Sequence, residues 1–251
     1  MDLDGRVGVI TGGSRGIGRA TAKMFAENGA KVVINYFGND QAAEETLALV
    51  EAAKSEALLV KGDVSEMPVA GQIVAATLER FGRLDFLICN AGIWAGAAVE
   101  VMSEDVWDKV LKINLKGTWT MCKAVVPHLK RQRSGRIVIV SSTAGQRGEA
   151  NYSNYAAAKG GQISFAKSLA SELGPFNINV NAVAPGWVDT EMSQSALNDF
   201  AQRELIENGI PLRRVASAED IAGPIIFLCT DWARHITGEI LNINGGAVLC
   251  G

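Results

Sequence analysis

The chain has 251 residues, of which 48% are hydrophobic and 20% are charged, and its formal net charge is -3 at pH 7. This composition is typical of a folded globular protein and excludes a largely disordered one. No cluster of lysine and arginine supplies the basic surface that nucleic acids require, and four scattered cysteines with two histidines lack the spacing of a metal centre. No apolar run approaches the roughly 18 residues that span a bilayer, and the acidic start is unlike a signal peptide. We therefore expect a cytoplasmic protein that binds neither nucleic acid nor membrane.

Short segments rich in β-branched residues alternate with longer segments of helical periodicity along the chain. The seven predicted strands lie at residues 7–10, 31–35, 57–61, 86–89, 136–140, 178–183 and 239–243. This alternation predicts an α/β fold, a doubly wound (Rossmann-type) parallel sheet of seven strands with helices on both faces. Composition marks no linker, so residues 1–251 are predicted to form one domain. Residues 186–214 interrupt the alternation, and we expect them to form a substrate lid over the carboxyl edge of the sheet.

Polar residues mark the starts of two predicted helices. Ser103 precedes two acidic residues in the manner of an N-cap. Ser217 and Asp220 have the form of a capping box before an apolar run. These residues indicate where the helices begin independently of their periodicity.

A glycine-rich segment follows the first strand and opens the first helix. Without side chains, backbone amides there can approach a pyrophosphate at the positive end of the helix dipole. The alternative is an ordinary tight turn between strand and helix. Its position at the first βα junction favours a dinucleotide site, made of Gly12, Ser14, Arg15, Gly16, Ile17 and Gly18.

The end of the second strand decides between the two nicotinamide cofactors. Enzymes that use NAD usually place a carboxylate there to hold the ribose 2'-hydroxyl, and the same carboxylate repels a 2'-phosphate. Here the strand ends in Asn35 and Tyr36, while Arg15 in the loop can bind a phosphate. We therefore favour NADP(H) over NAD(H). The nearest acid, Asp40, is expected to cap the next helix; if it folded back onto the ribose, NAD would be preferred.

Tyr155 and Lys159 are four residues apart and so share one face of a predicted helix. A phenol titrates at about pH 10, and a neighbouring ammonium favours its ionised form. We predict that Lys159 lowers the pKa of Tyr155, so that the phenol can exchange a proton with a substrate oxygen. With the dinucleotide loop, this pair indicates a nicotinamide-dependent carbonyl reductase.

Over essentially its whole length the chain resembles the short-chain dehydrogenase/reductases. The resemblance rests on the glycine loop, on Tyr155 with Lys159, and on motifs that follow in the family's order: Asp63 and Val64, Asn90, Ala91 and Gly92, Asn114, Ser142, and Pro185 and Gly186 before Thr190. It implies that Asp63 and Val64 hold the adenine and that residues 90–92 line the cofactor trough. It also implies that Pro185, Gly186, Val188 and Thr190 meet the nicotinamide. Asp63 as a helix N-cap and Asn90 as a turn residue are the structural alternatives.

The resemblance also assigns the catalytic roles. It implies that Tyr155 donates the proton, that Lys159 holds the nicotinamide ribose, and that Ser142 donates a hydrogen bond to the substrate carbonyl. Asn114 would fix a water that connects Lys159 to solvent. Ser142, thirteen residues before Tyr155, is preferred to its neighbour Ser141 because that spacing is usual in the family. Purely structural hydrogen bonds are the alternative for both Ser142 and Asn114.

The substrate pocket is the part that the sequence defines least. We expect it to be wide and partly apolar, lined by Trp94, Gln146, Trp187 and Met192. The two tryptophans could instead be core or interface residues.

Within the family the chain is most similar to the 3-oxoacyl-[acyl-carrier-protein] reductases. An acidic carrier protein needs arginines near the pocket mouth. Arg133 matches one docking arginine of that group, but the second position is Phe176 here, and Arg131, Arg213 or Arg214 would have to compensate. The alternatives are a reductase or dehydrogenase of a small free ketone, cyclic alcohol or sugar, and a non-catalytic protein that senses the nicotinamide redox state.

Family members are commonly tetramers, which makes this chain a predicted homotetramer. The predicted interface segments are residues 105–131, 155–173 and 242–251. The apolar ending of the chain supports an interface there, although it could equally be a packed tail.

Overall fold

A seven-stranded parallel sheet forms the centre of the molecule. The computed structural model describes residues 2–249. In the spatial order β3-β2-β1-β4-β5-β6-β7, the strands are β1 Val7–Ile10, β2 Lys31–Tyr36, β3 Ala57–Lys61, β4 Phe86–Cys89, β5 Gly135–Val140, β6 Ile178–Pro185 and β7 Ile240–Ile243. Every neighbouring pair runs parallel. The predicted doubly wound fold is confirmed, and the predicted strand ends are within two residues of the observed ones.

Helices connect the strands on both faces of the sheet. They are α1 Gly16–Glu27, α2 Asp40–Ala52, α3 Met67–Phe81, α4 Glu104–Val110, α5 Gly117–Gln132, α6 Ala144–Arg147, α7 Ser153–Leu173, α8 Gln194–Leu197, α9 Phe200–Gly209 and α10 Ala218–Cys229. A π-helical turn, Leu111–Lys116, joins α4 to α5. Within residues 2–249, none of the helices combines the length and apolarity needed to cross a bilayer.

The sheet separates two apolar cores. Strands β1, β4, β5 and β6 are buried along their whole length, and β1 and β4 accordingly carry no polar side chain. On one face, Leu87 of β4 packs in a core that includes Ile73 of α3 and Met121 of α5. On the other face, the Phe86 ring lies 5.5 Å from that of Phe25 in α1. Successive residues of one strand therefore serve opposite cores.

The strand order reverses direction at β1, which lies between β2 and β4. Consecutive crossovers leave a crevice at such a switch point, beyond the carboxyl ends of the strands. The loops after β1, β4, β5 and β6 meet at this edge. These are the loops that carry the glycine segment, residues 90–92, the serine pair and residues 185–190.

Two of the three predicted helix caps are confirmed. The Ser103 hydroxyl accepts a hydrogen bond from the Val106 amide, and Ser217 forms the capping box with Asp220. The prediction for Asp40 is wrong. Asn39 caps α2 by accepting from the Ala42 amide at 3.0 Å, and Asp40 is the first helical residue. Both residue types suit an N-cap, so only the backbone geometry distinguishes them.

Residues 186–214 form an insertion between β6 and α10. They contain two helices, α8 and α9, and no strand of the sheet. Val188 forms an isolated parallel bridge with Ala216, which ties the start of the insertion to the chain beyond its end. The insertion therefore starts at the carboxyl end of β6, beside the crevice.

Candidate active site

A groove of about 470 Å³ runs along the carboxyl edge at the switch point. Most of the predicted cofactor residues line it: Gly12, Ser14, Arg15, Gly16, Ile17, Asn35, Tyr36, Asp63, Val64, Asn90, Ala91, Gly92 and Thr190. The groove continues into a smaller cavity, with which it shares Asn90, Gly92 and Thr190. An elongated groove that opens into a cavity has the shape a dinucleotide and a second reactant require.

The glycine loop beside the groove admits glycine alone at two positions. Gly12 has a φ of +61°, and a Cβ there would lie 2.9 Å from the Ala91 Cα. A Cβ on Gly18 would lie 2.2 Å from the Gly12 carbonyl oxygen. Gly18 does not line the groove, so its contribution is to let α1 approach the loop closely. This cradle fits a pyrophosphate bound by backbone amides at the start of α1.

Asn90 holds the glycine loop in place. Its side-chain amide donates to the carbonyls of Thr11 and Gly12, both at 3.0 Å, and the Thr11 hydroxyl accepts from the Asn90 and Ala91 amides. Asn90 therefore combines the two roles that were predicted as alternatives. Its side-chain amide joins the ends of β1 and β4, and the residue also lines the groove.

Arg19 is a supporting residue that the sequence analysis missed. Its guanidinium donates to the Ser14 carbonyl and to the Ala42 carbonyl in α2. The Thr46 hydroxyl donates to the same Ser14 carbonyl at 2.9 Å. The loop is therefore anchored to α2, a contact for which the local sequence carries no signal.

The end of β2 carries no free carboxylate toward the groove. Asn35 donates to the Val60 and Gly62 carbonyls, so its amide is committed to holding β3. Asp40 accepts from the Tyr36 hydroxyl at 2.9 Å and from the Lys61 ammonium at 2.8 Å. These bonds lower the pKa of Asp40, the bond from Lys61 most. Asp40 does not line the groove, and the alternative in which it folds back toward the ribose is not the arrangement observed.

Arg15 reaches the groove as an exposed cation at the N-terminus of α1. Among residues 2–249 it has no salt-bridge partner. Asp63, which also lines the groove, accepts from the Ser65 amide and precedes α3 by several residues. The N-cap alternative for Asp63 is therefore wrong, because α3 begins at Met67 after Glu66.

The predicted catalytic side chains meet in the smaller cavity, of about 150 Å³. Ser142 and Tyr155 both line it, and the Ser142 hydroxyl accepts from the Ala144 amide at 3.1 Å. The Lys159 ammonium lies 5.5 Å from the centre of the Tyr155 ring and donates to the Val140 carbonyl at 2.7 Å. Ser141 donates instead to the Lys159 carbonyl at 2.8 Å. The structure thus brings Ser142, rather than Ser141, to the tyrosine.

The pKa values differ from the predicted direction. Burial raises the pKa of Tyr155 to about 12, partly opposed by the hydrogen bond with Ser142. Burial also lowers the pKa of Lys159 to about 8. Desolvation disfavours the charged form of each group, and here it outweighs the attraction between ammonium and phenolate. The predicted acidification of Tyr155 by Lys159 is therefore absent from this structure, in which Tyr155 is a neutral acid at neutral pH.

Asn114 lies in the π-helical turn and is fully buried. Its side chain accepts from the Ile93 amide at 2.8 Å and donates to the Ile93 carbonyl at 3.0 Å. Its own carbonyl accepts from Gln162 at 2.9 Å. The side chain thus has the structural role that the sequence analysis left as the alternative, since it fixes the loop after β4 beside the catalytic residues.

The wall of the cavity is partly apolar, as predicted. Trp94, Trp187 and Met192 line it. The Trp94 ring stacks on Tyr152 at 4.5 Å and meets Trp187 edge to face at 5.7 Å. That the pocket is wide stays a prediction.

Gln146 does not line the cavity, so its prediction as a substrate residue is wrong. It turns toward the sheet and donates to the Asn242 side chain at 2.7 Å. Arg147 and Glu149 line the cavity instead, joined by a salt bridge of 3.0 Å. The short helix α6 ends at Arg147, and this rotates the two charged side chains rather than Gln146 toward the opening.

The far side of the cavity is formed by the start of the insertion. Pro185, Gly186, Val188 and Thr190 all line it. A Cβ on Gly186 would lie 3.0 Å from the Asn244 Cβ, so the chain passes close to the end of β7 there. Among residues 2–249, no group of three or more His, Cys, Asp and Glu side chains is placed to share a metal ion; metal-free chemistry stays a prediction.

Comparison with known proteins agrees with this site. A family model described as "Enoyl-(Acyl carrier protein) reductase" matches residues 12–248. The chain is 41% identical over 248 residues to a 3-oxoacyl-[acyl-carrier-protein] reductase of Synechocystis, which covers 98% of both proteins. It is 40% identical to an L-rhamnose 1-dehydrogenase (NAD(P)(+)) of Sphingomonas, covering 97% of this chain and 96% of that protein.

Among solved structures, levodione reductase superposes with a TM-score of 0.94 at 34% identity, covering 97% of each chain. The resemblance predicted from the motifs is thereby confirmed. The relatives share one fold and one class of chemistry, the interconversion of alcohols and carbonyl groups, whereas their named substrates differ. This chain belongs to the short-chain dehydrogenase/reductase family, whose members are oxidoreductases that require a nicotinamide cofactor.

Proposed function

We propose that this protein is an NADP(H)-dependent carbonyl reductase, and that its substrate is a 3-oxoacyl thioester presented by an acyl carrier protein. The observation that carries the reductase proposal is that Ser142, Tyr155 and Lys159 line one cavity, into which the groove continues. A neutral tyrosine beside a serine hydroxyl is the arrangement needed to protonate a carbonyl oxygen.

The residues of the groove fit the cofactor through the cradle at Gly12 and Gly18. When bound, a reduced nicotinamide supplies the hydride to the carbonyl carbon. Ser142 and Tyr155 hold the substrate oxygen, and Tyr155 transfers its hydroxyl proton to that oxygen as charge develops there. Tyr155 is protonated at neutral pH, which is the state from which it can donate a proton. Lys159, held by Val140, would bind the ribose hydroxyls and return a proton to Tyr155.

Preference for NADP(H) is supported by charge at the adenosine end of the groove. Arg15 is exposed there and forms no salt bridge among the described residues, and Asp40 is bound to Lys61 away from the groove, whereas Asp63 and Glu191 line it. A guanidinium that is not paired attracts a 2'-phosphate more strongly than a 2'-hydroxyl.

Two observations support a carrier-protein substrate. Several relatives at about 40% identity over nearly the full length are named 3-oxoacyl-[acyl-carrier-protein] reductase. In addition, Phe176 lies between two cations, with the Lys130 ammonium 4.5 Å and the Arg133 guanidinium 5.9 Å from its ring centre. Lys130 therefore provides a positive charge close to the position where the docking arginine is missing, so that an acidic partner would still meet two cations.

The other arginines considered as substitutes are less suited. Arg214 is paired with Asp220 in a two-pronged salt bridge, and Arg213 donates to the Asn208 carbonyl. Arg131 is exposed at the end of α5, near Arg133. We infer that Lys130, Arg131 and Arg133 form the docking surface; they lie where α5 ends and before β5 begins, at the amino edge of the sheet and about one strand length from the catalytic cavity of the same protomer.

Reduction of a small cyclic ketone is the second candidate function. It is favoured by the size of the cavity, since about 150 Å³ is enough for a single six-membered ring, and by the aromatic rings that line it. A sugar is a weaker candidate because the wall opposite Tyr155 consists of Trp94, Trp187 and Met192. A sensor without catalysis is the least supported function, as Ser142, Tyr155 and Lys159 are all in place.

We also propose the organisation that goes with this activity. Residues 1–251 would act as one catalytic domain in the cytoplasm, with residues 186–214 as the substrate lid. Trp107 and Trp119, both partly exposed on the α4 and α5 surface, are consistent with a homotetramer built through these helices. Two members of the third predicted interface segment, Cys250 and Gly251, lie outside the described residues.

The proposal is tested by following NADPH consumption with three substrates. These are an acetoacetyl group on acyl carrier protein, the same group on a small thiol, and a panel of cyclic ketones and sugars. We expect the carrier-protein thioester to have the highest kcat/KM, and Lys130→Ala with Arg133→Ala to reduce that preference. A higher kcat/KM for a cyclic ketone than for either thioester would identify the second candidate function instead.

A further inference from the structure

A second cavity lies next to the catalytic one, with Trp187 between them. The catalytic cavity has a volume of about 150 Å³ and the second about 300 Å³. Among the described residues, Trp187 alone lines both. Its indole is therefore the partition that separates the space around Tyr155 from the space beside the end of β7.

The second cavity suits an apolar chain. Ile210, Leu212 and Ile243 contribute to its wall. Its charged side chains, Arg214 and Asp220, are paired with each other. Because the polar side chains there already have partners, an alkyl chain would displace water from apolar wall without breaking hydrogen bonds.

The asparagine side chains in this wall are also hydrogen-bonded within the protein. The Asn244 side chain accepts from the Gly246 amide at 2.9 Å and donates to the Val248 carbonyl at 2.9 Å. Asn242 accepts from Gln146 at 2.7 Å. A hydroxyl-rich ligand would find these partners occupied, so the cavity favours a hydrocarbon over a sugar.

The two tryptophans of the catalytic cavity are held differently. Trp94 is rigid because Asn114 binds the Ile93 peptide, Asn154 donates to the Ala95 carbonyl at 3.1 Å, and Tyr152 stacks on its ring. Trp187 is at the start of the insertion and borders open space on its second-cavity side. Removal of the Trp187 indole would therefore join the two cavities, whereas removal of Trp94 would not.

We infer that Trp187 is a specificity-determining residue that limits the length of the acyl or alkyl group this enzyme accepts, and that the cavity behind it is where a longer chain would lie. The inference deepens the proposed function and rests on it for the substrate class. In the wild-type protein, the cavity of about 150 Å³ before the partition is also lined by Pro185, Gly186, Val188 and Thr190, the residues expected to meet the nicotinamide, so little length is left for the substrate chain. The expected substrates are therefore short 3-oxoacyl groups.

The test is a chain-length series of 3-oxoacyl thioesters of N-acetylcysteamine, assayed with NADPH. The quantity compared is the ratio of kcat/KM for the ten-carbon to the four-carbon substrate. We expect Trp187→Ala to raise this ratio by at least about tenfold and Trp187→Phe to raise it less. Trp94→Ala, the matched control, should change the ratio by less than about threefold.

A second substitution tests where the longer chain lies. Ala216 lines the second cavity but not the catalytic one, so Leu at this position fills the space behind the partition. The double variant Trp187→Ala with Ala216→Leu should return the ratio to the wild-type value. The inference would be overturned if the ratio of kcat/KM values stayed raised in the double variant, or if Trp187→Ala did not raise it.

A binding measurement separates this inference from the proposed reaction. Saturated ten-carbon and four-carbon thioesters, which cannot be reduced, are titrated calorimetrically into the NADPH-loaded protein. The quantity compared is the ratio of the affinities for the ten-carbon and the four-carbon thioester. We expect Trp187→Ala to raise this ratio by at least about tenfold and the added Ala216→Leu to cancel the rise. This result supports the partition even if the wild-type protein reduces no thioester. Turnover of thioesters without this gain would refute the partition and leave the proposed function intact. Melting temperatures near the wild-type value establish that each variant is folded.

Discussion

The cofactor groove and the substrate cavity adjoin each other but are built in different ways. The groove is shaped by backbone: glycines that admit no Cβ, and carbonyls clamped by Asn90 and Arg19. The cavity is shaped by side chains, chiefly the stacked rings of Trp94, Tyr152 and Trp187. A backbone site can tolerate few substitutions and so resembles its relatives, whereas a side-chain site can change its substrate by changing a few residues.

The relatives are named for different substrates. A 3-oxoacyl-[acyl-carrier-protein] reductase, an L-rhamnose 1-dehydrogenase and levodione reductase are each 34–41% identical to this chain over nearly its full length.

The largest expected effect is that of Tyr155→Phe, which removes the proton donor at the junction of the two regions. We expect kcat to fall by at least about 100-fold while the dissociation constant of NADPH changes by less than about threefold. Tyr152→Phe is the matched control, because it preserves the stack on Trp94 and should retain most activity. A Tyr155→Phe variant with more than about a hundredth of wild-type activity would refute the proton-donor role.

The backbone character of the groove is tested by Gly18→Ala. A Cβ there would lie 2.2 Å from the Gly12 carbonyl oxygen and 2.7 Å from the Asn90 side chain. The loop must move, and we expect NADPH affinity, measured by fluorescence titration, to fall by about 30-fold or more. Gly71→Ala in α3 has nothing within 4 Å of its Cβ and should instead stabilise the protein by about 0.5–1 kcal/mol. Unchanged NADPH affinity in Gly18→Ala would mean that the tight cradle is not the binding element.

Arg15→Ala tests the charge at the adenosine end of the groove. We expect the dissociation constant of NADPH to rise about tenfold or more and that of NADH to rise less than about threefold, because only NADPH carries the 2'-phosphate. The difference should shrink at high salt. Lys23→Ala, which removes an exposed cation from the same helix, should affect the two cofactors equally. Equal losses in Arg15→Ala would contradict the preference for NADP(H).

The smallest expected effect is on stability and concerns Lys159. Its pKa is 10.5 in an ordinary setting and about 8 in the folded protein, so between these values the unfolded chain binds more protons than the folded one. The contribution of Lys159 to the free energy of unfolding therefore rises with pH between these two pKa values. We expect the free energy of unfolding of wild type, relative to Lys159→Met, to increase by about 1–2 kcal/mol between about pH 7.5 and 9.5. A pH-independent difference in denaturant titrations would show that the ammonium is not desolvated.

The parts of the site that could be predicted from sequence are those in which a local pattern implies a local geometry. The glycines after β1 and the pair Tyr155 and Lys159 are of this kind, because a tight turn and an i,i+4 helical face follow from spacing alone. The strands were also predictable, since buried parallel strands carry continuous apolar sequence. Asp40 and Asn39 illustrate the limit, because both suit a cap and only backbone geometry selects one.

Contacts between distant segments were not predictable in this way. Gln146 was expected in the pocket, but the end of α6 turns Arg147 and Glu149 there. The pKa of Tyr155 was expected to fall because its charged neighbour is visible in the sequence, whereas the burial that raises it is not. Phe176 stands where the resemblance implies a docking arginine, and the cation beside its ring, Lys130, comes from another element.

The sequence by itself determined the fold and the family, and it singled out the candidate cofactor loop and catalytic side chains, because each depends on periodicity or on short spacings along the chain. Tertiary structure alone decided the protonation state of Tyr155, the stacking of Trp94 on Tyr152, and the position of Trp187 between two cavities. Desolvation and packing arise from segments that are far apart in the chain and meet only when the sheet is assembled.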